Sequence, residues 1–95
     1  MADARTVVWE KKVDKQLDKL PDFIQLKFYA WVKAIQLAGL RAVRTSPGFH
    51  DEPLKGNRKG QRSVRLNRAY RAIYVERTNG ELELIEVIEV NKHEY

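Results

Sequence analysis

A length of 95 residues and a formal net charge of +5 bound this protein to one compact domain, spanning 1–95, with no room for a separate cofactor-binding domain or a second catalytic lobe. Cysteine is absent, which excludes disulfide scaffolds, thiolate metal sites and cysteine nucleophiles and fits a reducing cytosol. With 43% hydrophobic and 33% charged residues the chain lies near the globular range, and with neither an apolar stretch of about 20 residues nor a signal-peptide core after Asp3 it is expected in the cytoplasm, away from membranes.

Residues 5–9, Arg-Thr-Val-Val-Trp, are short, β-branched and aromatic, and predict a first strand that pairs within a later sheet. Val13, Leu17 and Leu20 then recur at i, i+4 and i+7 among Lys and Asp, the pattern of an amphipathic helix ending near Pro21. Pro21 and Asp22 open a second helix, since proline lacks the amide that a first turn leaves unpaired and an acid there complements the dipole. Its buried stripe is expected at Ile24, Phe28, Trp31 and Ile35, widened by Phe23, Val32 and Leu37, with Gly39 as the stop. The two helices should form a hairpin against the sheet.

Residues 45–61 hold Pro47, Gly48, Pro53, Gly56 and Gly60 with little apolar content, and predict a loop anchored by Leu54. Three strands follow at 63–67, 70–78 and 82–90, the last two joined through Asn79-Gly80, forming an antiparallel meander. With the first strand this makes an α+β fold on a small, mainly antiparallel four-stranded sheet. The last strand mixes parities: Leu82, Leu84, Ile88 and Val90 on one, Ile85 and Val87 on the other, so both faces are expected to be partly covered. Glu86, on the parity of the leucines, marks a bulge, an ion pair with a neighbouring arginine, or the sheet's edge, and is expected to be structural.

Basic charge concentrates in the middle of the chain. Arg41, Arg44, Lys55, Arg58, Lys59, Arg62, Arg65, Arg68, Arg71 and Arg77 face only Asp51, Glu52 and Glu76 over that stretch. Such a segment suits a polyanion, and the excess of Arg favours forked contacts to phosphate, although a solubilising surface has the same composition. Three ionisable clusters stand out: Glu52-Pro53-Leu54-Lys55-Gly56, the strands bearing Arg65 and Arg71, and the tail Lys92-His93-Glu94-Tyr95. No metal or other cofactor is expected, because His50 and His93 lack a companion pair at ligand spacing, and Ser46 and Ser63 carry no recognisable nucleophile turn. RNA can be cut without metal: the ribose 2′-hydroxyl attacks the adjacent phosphate once a base removes its proton, cations stabilise the phosphorane, and an acid protonates the leaving 5′-oxygen.

The order of a strand, a helical hairpin, a Glu-Pro-Leu-Lys-Gly loop, a strand with Tyr70-Arg71-Ala72-Ile73-Tyr74 and a closing Lys-His-Glu-Tyr resembles the RelE/ParE toxin superfamily across nearly the whole chain. The loop and terminal His and Tyr resemble most the RelE-, YoeB- and HigB-like mRNA interferases. That resemblance implies a RelE-like fold and a type II toxin that cleaves mRNA in the 30S ribosomal A site and inhibits translation. It places Glu52 as general base, Arg71 on the scissile phosphate, His93 as general acid and Tyr95 stacked on a base. Lys55 and Arg65 match positions that meet the RNA backbone or developing charge, with Arg58, Lys59, Arg62 and Arg68 as further RNA-binding candidates. Glu94 is an insertion relative to the YoeB pattern. A cognate antitoxin covering the basic surface is implied as partner, with DNA met only through the antitoxin complex. The alternative within the same superfamily is a ParE-like inhibitor of DNA gyrase, or a non-catalytic regulator.

Overall fold

In the computed structural model, residues 3–92 are described. The strands are β1 (Thr6–Trp9), β2 (Glu52–Pro53), β3 (Arg62–Arg65), β4 (Tyr70–Asn79) and β5 (Leu82–Lys92); the helices are α1 (Lys11–Asp18), α2 (Asp22–Ala38) and α3 (Leu40–Arg44). The sheet order is β1-β5-β4-β3-β2, with β1 parallel to β5 and the other pairs antiparallel. The α+β class and the meander stand as expected, but the sheet has five strands, not four. The additional one is β2, within the predicted loop, where Glu52 pairs with Ser63 and Pro53 with Arg62. A two-residue edge strand containing proline leaves too short a pattern to recognise, and the edge is where a missing amide costs least.

The helices cover one face of the sheet. Val13 and Leu17 of α1 are buried with Ile24, Phe28, Trp31, Val32 and Ile35 of α2. Phe23 and Leu37, expected to widen that stripe, are instead 63% and 69% exposed. Two residues beyond Ile35, Leu37 projects from almost the opposite side of the helix, so hydrophobicity alone misplaced it. Trp31 packs against Tyr74 of β4 with centroids 5.5 Å apart, and Trp9 meets Phe28 edge-on at 5.2 Å.

Gly39 ends α2 with φ at 88°, and the chain restarts at once as α3, which the sequence pattern did not announce. Five residues are too few for a periodic signal, yet Leu40 and Val43 are buried, and the Leu40 amide donates to the Ala4 carbonyl at 2.9 Å.

The mixed parity of β5 has one cause, a bulge. Ile73 faces Glu89 but Tyr74 faces Val87, which leaves Ile88 as the extra residue and reverses the alternation. Ile85, Val87 and Val90 are therefore all buried, so the two parities reflect one covered face rather than two. Glu86 opposes Val75 and pairs with Arg77 at 2.5 Å.

Candidate active site

Strand alternation sends Val64, Leu66, Ala72 and Tyr74 into the helix-covered core, so their neighbours project from the other face. There Ser63 and Arg65 of β3 lie opposite Ile73 and Arg71 of β4, and Ile73 and Arg71 lie opposite Glu89 and Asn91 of β5. Glu52 of β2 joins them through its pairing with Ser63. Between these strands opens a cleft of about 580 Å³, floored by Leu54 and Ile73 and walled by Glu52, Arg58, Ser63, Arg71, Glu89, Asn91 and Lys92.

Arg71 is the most enclosed cation of the cleft. Its side chain is only 12% exposed, and Nη1 donates to Ser63 Oγ at 3.3 Å. The same nitrogen lies 3.6 Å from Glu52 Oε1, longer than a good hydrogen bond, and Glu52 is 57% exposed. So loose a pair contributes little to stability and gives way readily to a stronger anion. Directly across the ladder stands Arg65, and Nε of both arginines is buried without a hydrogen-bond partner among the described residues.

The structure thus brings Glu52, Arg58, Arg65 and Arg71 onto one face. Arg58 is engaged there, donating to Gln61 Oε1 at 2.8 Å and to Glu89 Oε1 at 3.0 Å. Lys55 and Lys59 are exposed on either side of the 3-10 turn Gly56–Arg58, and Arg68 is exposed in the turn between β3 and β4. Arg62 is not brought to this face: it pairs across the ladder with core-facing Tyr74, and its Nε donates to the buried Asp51 carboxylate at 2.6 Å. His93 and Tyr95 lie outside the described residues.

Glu89 and Asn91 escaped the sequence reading, and Ser63 was weighed there only as a nucleophile, not as a cleft residue. Each sits at period two from a residue that was singled out or from another member of the trio, but period two alone does not say which face is open until the bulge is known. Also unanticipated is a network behind the cleft. The Tyr74 hydroxyl donates to Asp51 Oδ2 at 2.5 Å, and Arg44 Nη2 approaches that hydroxyl at 3.5 Å and Glu76 Oε2 at 2.9 Å. Burial first, then the hydrogen bond to Asp51 and its charge, push the Tyr74 phenol well above its ordinary value.

The sequence matches the family model for the ParE toxin of the type II toxin-antitoxin system parDE over residues 7–94. The chain belongs to the ParE toxin family. It shares the RelE/ParE fold with solved structures of low sequence identity. A YoeB/ParE toxin from Agrobacterium tumefaciens superposes with a TM-score of 0.71 at 20% identity, covering 94% of this chain and 99% of that one. An archaeal RelE-RelB complex from Pyrococcus horikoshii OT3 gives 0.67 at 22%, covering 92% of each chain. A heterotetrameric YoeB-YefM toxin-antitoxin complex from Staphylococcus aureus gives 0.66 at 21%, covering 99% of this chain and 100% of that one. A search of curated proteins finds no match. Within this ParE-family fold the cleft occupies the open face of the meander, and no described helix is long and apolar enough to cross a membrane.

Proposed function

We propose that this toxin is a metal-independent endoribonuclease that cuts mRNA in the ribosomal A site. One observation carries the reading: Arg65 and Arg71 stand opposite each other, their Nε atoms unpartnered among the described residues, beside a carboxylate only loosely held. Like charges at a cross-strand pair are unfavourable, and buried donors without acceptors cost more still, so the arrangement suits an anion that supplies oxygens to both. A phosphodiester does so, and its arrival frees Glu52 from Arg71.

In this reading Glu52 removes the proton of the ribose 2′-hydroxyl, whose oxygen attacks phosphorus. Arg71, with Arg65, stabilises the charge gathering on the phosphorane oxygens. His93 gives a proton to the departing 5′-oxygen and Tyr95 stacks on a base, roles that rest on the superfamily resemblance. Lys55, Lys59 and Arg68 hold the RNA backbone around the cleft. DNA lacks the hydroxyl that starts the reaction, which points to RNA. A cytoplasmic setting, and a cognate antitoxin such as accompanies the Staphylococcus aureus YoeB, complete the reading.

The family match names ParE, which favours a second reading, inhibition of DNA gyrase. The two separate in one experiment. mRNA ends are mapped by primer extension in a translating extract, with and without ribosomes, for the wild type and Glu52→Gln, and gyrase supercoiling is measured on the same preparations. New mRNA ends made by the wild type and lost in Glu52→Gln support cleavage. Intact mRNA with inhibited supercoiling would replace it with the gyrase reading.

A further inference from the structure

We infer that Asp51 is a positioning residue that aims Glu52 into the cleft, an assignment that rests on the proposed role of Glu52. Asp51 immediately precedes β2, and the two neighbouring carboxylates reach opposite faces of the sheet: Asp51 meets core-facing Tyr74, and Glu52 meets Arg71 in the cleft. Glu52 is 57% exposed on the cleft side, whereas the Asp51 side chain is 1% exposed. Its two oxygens are separately engaged: Oδ1 accepts from Arg62 Nε at 2.6 Å and Oδ2 from the Tyr74 hydroxyl at 2.5 Å.

Those partners come from the two strands nearest β2, Arg62 from β3 and Tyr74 from β4. Tyr74 is fully buried against Trp31, and Arg44 of α3 closes over its hydroxyl while pairing with Glu76. One carboxylate therefore joins the loop to β3 and β4, and through the Tyr74 hydroxyl to Arg44 of α3. A buried charge held by two donors resists displacement, because moving it would strand an arginine and a phenol.

The segment leading to Asp51 is fixed as well. His50 adopts left-handed backbone at φ 46°, a conformation costly for a non-glycine residue that persists only when its surroundings impose it. Two residues of strand pairing, Glu52 with Ser63 and Pro53 with Arg62, would hold β2 weakly alone. With Asp51 pinned behind the sheet, rotation of the chain about β2 is blocked, and Glu52 stays 3.6 Å from Arg71.

The test uses full-length Asp51→Asn, which keeps the shape and removes the charge, and Tyr74→Phe, which removes one hydroxyl and leaves the ring packed. Hydrogen exchange of the Leu54 amide, which donates to Gln61 O at 2.9 Å beside β2, reports the clamp directly. Single-turnover RNA cleavage is measured for each variant in wild-type and Glu52→Gln backgrounds. The expected result is Leu54 exchange faster by at least tenfold in Asp51→Asn and faster to a smaller degree in Tyr74→Phe. Cleavage should slow by 10-fold or more with KM unchanged, as estimated for a misplaced group, and neither change should lower the residual rate of Glu52→Gln further. Leu54 exchange at the wild-type rate in both variants overturns the inference, and so does an equal loss of cleavage in both backgrounds. A wild type that cuts no RNA overturns the proposed function, and the exchange rates then decide the clamp alone. If Asp51→Asn does not fold, Tyr74→Phe decides.

Discussion

Arg65 and Arg71 face each other as directly opposed residues of β3 and β4, two cations at a position where strands ordinarily place complementary partners. Only Arg71 has an acceptor within the cleft, Ser63 Oγ, and neither Nε is satisfied among the described residues. The fold tolerates this pair rather than gaining from it, so removing one charge should have opposite effects on stability and on binding.

For Arg65→Glu, the new carboxylate opposes Arg71 and replaces repulsion with attraction, a change on the order of 0.2–1 kcal/mol in favour of the fold. The variant is expected to melt at or above the wild-type Tm while binding RNA more weakly. Thermal unfolding followed by circular dichroism, with RNA affinity measured in parallel, checks both; a clear fall in Tm would make Arg65 a structural residue.

Arg71→Ala should remove about 3 kcal/mol of transition-state stabilisation, roughly 10²-fold in rate, comparable to the loss of one oxyanion donor. Arg71→Lys should restore only part, because it keeps the charge and loses the planar fork. Growth arrest on induction together with mapped mRNA ends gives the readout. A folded Arg71→Ala protein cutting at the parental rate contradicts the assigned role.

RNA affinity should fall steeply with salt. If Lys55, Lys59, Arg65 and Arg68 each neutralise one phosphate, the logarithm of the binding constant falls with the logarithm of salt at a slope of about −3 for a single strand. Charge removal at any one of the four should make the slope shallower. Binding indifferent to salt would mean that the basic surface is only a solvated one.

Tyr74 makes stability depend on alkaline pH. Its phenol holds the proton more tightly in the folded chain than in the unfolded one, mainly because burial penalises the phenolate. Folding therefore favours the protonated form, and this contribution is complete below about pH 10 and declines as pH rises beyond it. Denaturant titrations from pH 8 upward should show that decline in the wild type and its absence in Tyr74→Phe, which should also be less stable at neutral pH by about 1–3 kcal/mol through the stranded Asp51 oxygen. Parallel pH profiles for the two proteins would contradict the assignment.

Much of the architecture was legible in the residues alone. The helical spacing of Val13 and Leu17, and of Ile24, Phe28, Trp31 and Ile35, dictates which faces are buried, because an apolar stripe has to meet another element. Strand composition and the Asn79-Gly80 turn dictate the meander, and the Tyr-Arg strand with the Glu-Pro-Leu-Lys loop announced the family. What tertiary structure alone decided depends on contacts between residues distant in the chain. The bulge at Ile88 determines which side of β5 carries Glu89 and Asn91, and no local pattern fixes where an alternation reverses. Arg62 and Arg65 look alike in sequence, yet one is bound by Asp51 behind the sheet and the other projects beside Arg71. Their separation of three positions sets opposite faces only once both lie in the same strand, and the Asp51 that distinguishes them arrives from a loop whose path the pairing of Glu52 with Ser63 determines.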